Sequence, residues 1–559
     1  MLQIAKACLM PIRPLAIALP LLVLLAATPP AAAALTREPS LAERYIRVRA
    51  ADAAGDLATA SAEMGAMMAA DPTVATARRA YRQALTAGDR PLALRAARLL
   101  DQHHALPLDA PLLLVIDGVQ KRDWKAARAA VDRLDEGRLF SFLSPLLRAW
   151  ITLGAKDGDA LHALTADTRG GGMTAAYLPE QRMLMAIAAG HPEQAAASVD
   201  KIKGPGVRIR MLIAAALLRA HDRARALTVL AGDEDVLAEA RARVAAGKGL
   251  AITLDGPADG ISELLTHVAV DFSQQRLAPV ATALARLATF AQEDNSSAWI
   301  ALSNLFGAAH NGKAALAALG HVRADDPFAA DAQTLRIALL IDSGDKQGAL
   351  AEALAAAQHS RTGMLEWGRV GDVYLALDRP GDAAGAYGRA IAAAGATPAQ
   401  PVWPLWLQQG SALELAGDWP AAKAALEKAH ALAPDQPVVL NHLGYSELSR
   451  REDVAHAAAL IAQASELRPD DPAITDSLGW SEYVRGNVAK ALPLLERAAA
   501  GDPGEPTINE HLGDAYWAAG RYLEARYSWR AALVTADAKD ADRIRAKLDN
   551  GLTPATGAP

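Results

Sequence analysis

Between residues 402 and 537 apolar and small residues recur at steps of three and four, the period of an amphipathic helix, and glycine or proline punctuates each run. Leu478 and Gly479 belong to one run, Gly486 breaks it, and Ala491, Leu495 and Ala498 form a second run that Pro503 ends. The pattern predicts two helices joined by a tight turn. It also repeats. Gly410, Gly444, Gly479 and Gly513 follow at intervals of 34, 35 and 34 residues, and Pro434, Pro469 and Pro503 at 35 and 34. The extra residue falls most simply in the turn from Ser449 to Val454, where it leaves packing undisturbed.

Small residues have a geometric role in such a unit. Gly479 lets the partner helix approach, Ala491 fits the crossing, and Ala498 leaves room for the next unit. The template places Trp406, Gly410, Gly417, Ala422, Leu426, Ala429 and Pro434 one unit earlier, and Leu512, Gly513, Tyr516, Gly520, Ala525, Trp529 and Ala532 one unit later. It extends back through Trp367, Gly371, Tyr374, Ala383, Tyr387 and Ala390, then Trp299, Leu302, Phe306, Ala315 and Pro327. Gly55, Ala60 and Pro72 repeat it near the start. From 105 to 290 only turn-and-alanine pairs survive: Trp124 with Ala127, Gly190 with Ala195, His221 with Ala226.

These residues resemble the tetratricopeptide repeat, a helix-turn-helix of 34 residues. The resemblance implies an all-α, right-handed superhelical solenoid. Its parts are expected at 35–104 (N-terminal repeats), 105–290 (degenerate hairpins), 291–401 (repeats), 402–537 (well-matched repeats), 538–552 (capping helix) and 553–559 (a frayed tail). Segments 254–260 and 395–401 carry turn chemistry and are expected as loops or joints. Asn441 to Tyr445, Asp476 to Trp480 and Asn509 to Trp517 further resemble the C-terminal repeats of bacterial exported adaptor proteins, periplasmic or tethered to the outer membrane.

Composition agrees with close-packed helices, since 52% of residues are hydrophobic but only 5% aromatic. A net charge of −6 excludes a generally basic nucleic-acid binder. Residues 1–34 read as a cleavable signal peptide: Lys6 and Arg13, an apolar stretch from Leu15 to Ala27, then Ala32 to Ala34. That apolar stretch is short of the roughly 20 residues a membrane span needs. Cys8, the sole cysteine, precedes it and cannot serve as a lipid anchor. A periplasmic protein with no stable membrane span follows as the expectation.

Function in a solenoid resides on the face lined by the first helices. Positions −3, +1 and +4 from each Leu-Gly glycine share one side of a helix. They are Asn441, Tyr445 and Leu448, then Asp476, Trp480 and Tyr483, then Glu510, Asp514 and Trp517. Rings alternate with carboxylates there. Such a groove suits a protein or peptide segment with apolar and basic side chains, or, in an alternative reading, a glycan stacked on the rings. Trp480 and Trp517 could equally pack between repeats.

Catalytic patterns are weak. Gly307 to Ala314 has the spacing of a phosphate loop but ends in Ala where magnesium needs Ser or Thr, and it follows a helical stretch. An interhelical turn at Asn311-Gly312 is the expectation. His103-His104 reads as a helix end rather than a metal site. His511 and Asp514, three apart, could share a proton, but no nucleophile accompanies them. The expectation is a non-enzymatic adaptor with no cofactor, metal or catalytic residue. The alternative is a carbohydrate-binding accessory protein.

Overall fold

The computed structural model describes residues 38–553 apart from 138, 161–163, 165–170, 200–205, 233, 360–362 and 396–400. The expected signal peptide and residues 554–559 lie outside the described residues. Among the described residues the chain is helical, with a 3-10 turn at Ser141–Leu143 and no strand.

The C-terminal hairpins have first helices Trp403–Leu415, Pro437–Ser449, Pro472–Val484 and Pro506–Ala518. Their second helices are Trp419–Leu432, Val454–Leu467, Val488–Gly501 and Tyr522–Thr535. Prolines 437, 472 and 506 open their helices where no N–H partner is needed. Asp418, Asp453 and Asp471 cap helices by accepting from backbone N–H groups of Ala421, His456 and Ile474. Three of the four turns place a glycine at positive φ, Gly417, Gly486 and Gly520 at 85°, 83° and 78°. The 35-residue unit has four residues in its turn instead of three, with Arg451 at φ 52°, so the insertion sits where packing is indifferent to it. Close approach requires the Leu-Gly glycines. A Cβ on Gly479 would lie 2.8 Å from Leu495 Cγ, and one on Gly513 2.4 Å from Trp529 Cδ1.

Hairpins also fill the degenerate region. Ala110–Gln120 pairs with Trp124–Gly137, Val207–Arg219 with Arg223–Val229, and Pro257–Gln274 with Ala278–Ala291. Asn311 caps the helix Gly312–Leu319 through Ala314 N–H, which makes the apparent phosphate loop a turn between helices. His103 and His104 follow the end of Arg90–Gln102. The expected loop at 254–260 is corrected in its second half: Pro257 starts a helix, and Gly260 lies in it with no room for a Cβ beside the Trp150 ring.

The N-terminal hairpins also close on themselves. Ala278–Ala291 packs back on Val74–Ala87 and Ala110–Gln120. Gln120 Nε2 donates to the carbonyls of Phe290 and Ala291 at 3.0 and 2.9 Å. Arg286, 7% exposed, donates from Nε to Leu85 O and from Nη2 to Thr86 O, at the carbonyl end of Val74–Ala87. Burial lowers its pKa to about 10. One continuous core therefore runs from Val48 to Leu339, whereas later hairpins share smaller clusters with their neighbours.

Candidate functional site

Pro437–Ser449 packs against Pro472–Val484 and that helix against Pro506–Ala518, Trp403–Leu415 joins the row through Glu414, and the side chains between them form a largely buried polar and aromatic seam. Trp480 is 1% exposed, stacked on His511 with centroids 4.0 Å apart and on Tyr483 at 4.6 Å. His511 is fully buried, and its Nδ1 lies 2.8 Å from Asp476 Oδ2. Its Nε2 lies 3.5 Å from the Tyr445 hydroxyl two repeats back, so the curvature brings alternate repeats into contact. Burial and the nearby Asp476 carboxylate push the Tyr445 phenol up. Burial and Asp514 push the Tyr483 phenol up to about 12.

The capping helix Ala538–Asn550 continues the seam. Arg543 Nε and Nη2 donate to the two Glu510 carboxylate oxygens at 2.8 and 2.6 Å. Lys547, fully buried, donates from Nζ to Glu510 Oε1 at 2.5 Å and to both Asp514 oxygens at 2.8 Å. Trp529 Nε1 also donates to Asp514 Oδ1 at 2.9 Å. Burial pushes the Glu510 carboxyl up, and Arg543 and Lys547 outweigh it, holding the group below the ordinary carboxylate range. One end of the seam repeats the device. Glu414 meets His442, Ser446 and Arg450 of the next first helix at 3.1, 2.9 and 2.7 Å. Glu447, 2% exposed, lies 2.9 Å from Lys423 Nζ and from His456 Nδ1.

Several expected groove residues are therefore placed elsewhere. Asp476, Trp480, Glu510 and Asp514 are 4%, 1%, 2% and 0% exposed, and Leu448 is buried. The helical step defines a direction relative to each residue's own helix, and in this stack positions −3 and +1 point at neighbouring first helices. Asn441, Tyr445, Tyr483 and Trp517 keep part of their surface in solvent. His511 and Asp514 do not pair with each other, since each is held by a different partner helix. Lys547 turns inward and is fully buried. Glu414, Glu447, His511, Arg543 and Lys547 were missed as seam residues. Except for Glu447, their signal was opposite charge about one repeat apart, as in Asp476 with His511 (35 residues) and Asp514 with Lys547 (33).

Asn441 Oδ1 and Asp476 Oδ1 are buried atoms without a hydrogen-bond partner among the described residues. Among the described residues no group of three or more His, Cys, Asp or Glu is arranged to hold a metal ion, and no helix is long and apolar enough to cross a membrane.

No family model and no curated protein matches the chain. Among solved structures, the hetero-tetramer of the APC/C proteins Cut9 and Hcn1 aligns at 15% identity over 80% of this chain and 90% of that one, with a TM-score of 0.35. A tetratricopeptide repeat protein from Parabacteroides merdae aligns at 12% identity over 52% and 97%, TM-score 0.35. A thermophilic TPR protein from Thermus thermophilus, TTC0263, aligns at 20% over 34% and 98%, TM-score 0.29. The hairpins described above, with their glycine and proline positions, make this an all-α solenoid of the tetratricopeptide type.

Proposed function

We propose that the chain is a non-enzymatic scaffold, exported to the bacterial cell envelope, that holds protein partners on the first-helix face of its C-terminal hairpins. The observation that carries this reading is the set of part-exposed side chains Asn441, Tyr445, Tyr483 and Trp517 on three successive first helices. Part-exposed rings beside an amide favour a segment that brings apolar side chains together with Arg or Lys, whose cations are drawn to ring faces. The chain's own capping helix supports the same chemistry, since Arg543, Ile544 and Lys547 fit against Glu510, Asp514 and Trp529. A glycan is less well served, because the Trp480 ring is enclosed between His511 and Tyr483. Export rests on residues 1–34, whose charge and apolar pattern read as a signal peptide.

The test is fluorescence anisotropy with two amphipathic helical peptides, one carrying Arg and Lys on its polar face and one carrying Glu there, beside a neutral oligosaccharide. Binding of the basic peptide, weakened about tenfold or more by Tyr483→Ser in a folded variant, is the expected result. Retention of the oligosaccharide with neither peptide bound would overturn the proposal. An N-terminus near Leu35 in periplasmic material is expected, and Met1 retained in membranes would contradict export.

A further inference from the structure

The last second helix, Tyr522–Thr535, differs from its predecessors on the side turned away from the core. Ala525, Ser528, Trp529 and Ala532 are its buried residues. On the opposite side Leu523, Tyr527 and Val534 are 64%, 60% and 82% exposed, and the exposed Arg530 lies between the last two. Counted from the Leu-Gly glycine, the three apolar positions are Pro420, Ala424 and Ala431 in the first hairpin of the block and Ala489, Pro493 and Ala500 in the third. With the one-residue insertion, they are Ala455, Ala459 and Glu466 in the second. Only the terminal hairpin puts large apolar groups there. Packing among the described residues does not account for them, and a contiguous exposed apolar stripe signals an interaction surface.

The stripe is also its own complement. Leu523, Tyr527, Arg530 and Val534 are spaced four, three and four residues apart, a palindromic order. Laid antiparallel on a second copy about a two-fold axis, the helix places Leu523 opposite Val534 of the second copy and Tyr527 opposite its Arg530. Apolar then meets apolar, and each guanidinium meets a ring, an attraction that Arg530 already shows towards Tyr527 in its own helix at 6.0 Å. A self-matching patch is what a two-fold interface requires. None of the four stripe residues is acidic, so the stripe offers nothing to favour a basic partner instead.

We infer that this chain self-associates through the outer face of Tyr522–Thr535, as an antiparallel helix pair with a second copy. The surface is separate from the first-helix face, so partner binding and self-association can coexist. A helix of 14 residues spans only about 21 Å, and an interface of that size makes a weak dimer.

Sedimentation velocity on the purified protein over a concentration series tests the inference. A reversible monomer–dimer equilibrium is expected, and Leu523→Glu or Val534→Lys alone should raise its midpoint concentration about tenfold or more. All these side chains are exposed, so circular dichroism and melting temperature should be unchanged. In the double variant Leu523→Glu with Val534→Lys, antiparallel pairing sets Glu against Lys at both ends and should restore dimerisation. Parallel pairing would set like charges together and should not. A protein that stays monomeric at the highest concentration, a dimer indifferent to Leu523→Glu, or a double variant that fails to recover would each overturn the inference.

Discussion

Lys547→Met tests the buried seam at its most charged point. The substitution roughly keeps side-chain volume and removes the ammonium that makes three hydrogen bonds of 2.5 to 2.8 Å with Glu510 and Asp514. Glu510 would retain Arg543 and Asp514 would retain Trp529 Nε1, but Asp514 would lose the Lys547 cation while remaining fully buried. Breaking a buried ion pair from one side costs about 3–5 kcal/mol, because the other charge is left uncompensated. In a stack held by neighbour contacts the loss should remain at the C-terminal end. Amide hydrogen exchange by mass spectrometry should therefore show opening of segment 506–550 enhanced by about two orders of magnitude or more at pH 7, with 41–320 unchanged. The pH dependence follows from the Glu510 carboxyl, which lies below its ordinary value. A group with a lowered folded pKa contributes stability above its unfolded pKa, near 4.5, and loses it as pH falls through the folded value. Both proteins should weaken in acid, and the gap between them should narrow below about pH 4 as protonation of Glu510 removes the charge that Lys547 would have paired. An exchange pattern in the variant within twofold of the wild type at pH 7 would refute the reasoning.

Three further outcomes are expected. Gly479→Leu should cost about 1–3 kcal/mol by overpacking against Leu494 and Leu495, seen as a lower denaturant midpoint for the C-terminal hairpins. Arg286→Met should leave the Leu85 and Thr86 carbonyls without this donor, costing about 1–3 kcal/mol, and should raise hydrogen exchange in 74–102 and 278–308 while leaving 403–550 untouched. His267 is raised above its ordinary value by its hydrogen bond to Glu180, with Asp271 adding to the effect, so its stabilisation is full below about pH 6.5 and lost as pH rises through the folded pKa. Stability measured between pH 5 and 9 should fall across that window, and His267→Gln should flatten the fall.

The hairpins were legible because their causes are local. Gly479, Gly486 and Pro503 each mark a conformation or approach that few other residues allow, and their beat needs no knowledge of the fold. The seam was legible only in part. A helical step tells which residues share a side of one helix, but where that side points depends on the tilt between successive hairpins, which turned Asp476 and Trp480 into neighbours of His511. Charge order one repeat apart could have exposed Glu510 with Arg543, though not the complete burial of Lys547. The closure of the N-terminal half was not legible at all, since Arg286 reaches carbonyls about 200 residues earlier and carbonyls carry no sequence signature.

The central claim is that the aromatic and acidic residues of the C-terminal first helices are first of all the contact between repeats, with binding left to the part-exposed rings beside them. Denaturant unfolding of Trp480→Ala, followed by hydrogen exchange in 437–518, tests it most directly. Removal of a ring that is 1% exposed and stacked on His511 and Tyr483 should destabilise this segment by about 3–5 kcal/mol. Stability unchanged to within about 0.5 kcal/mol, the range of a surface substitution, would place Trp480 in open groove and contradict the claim.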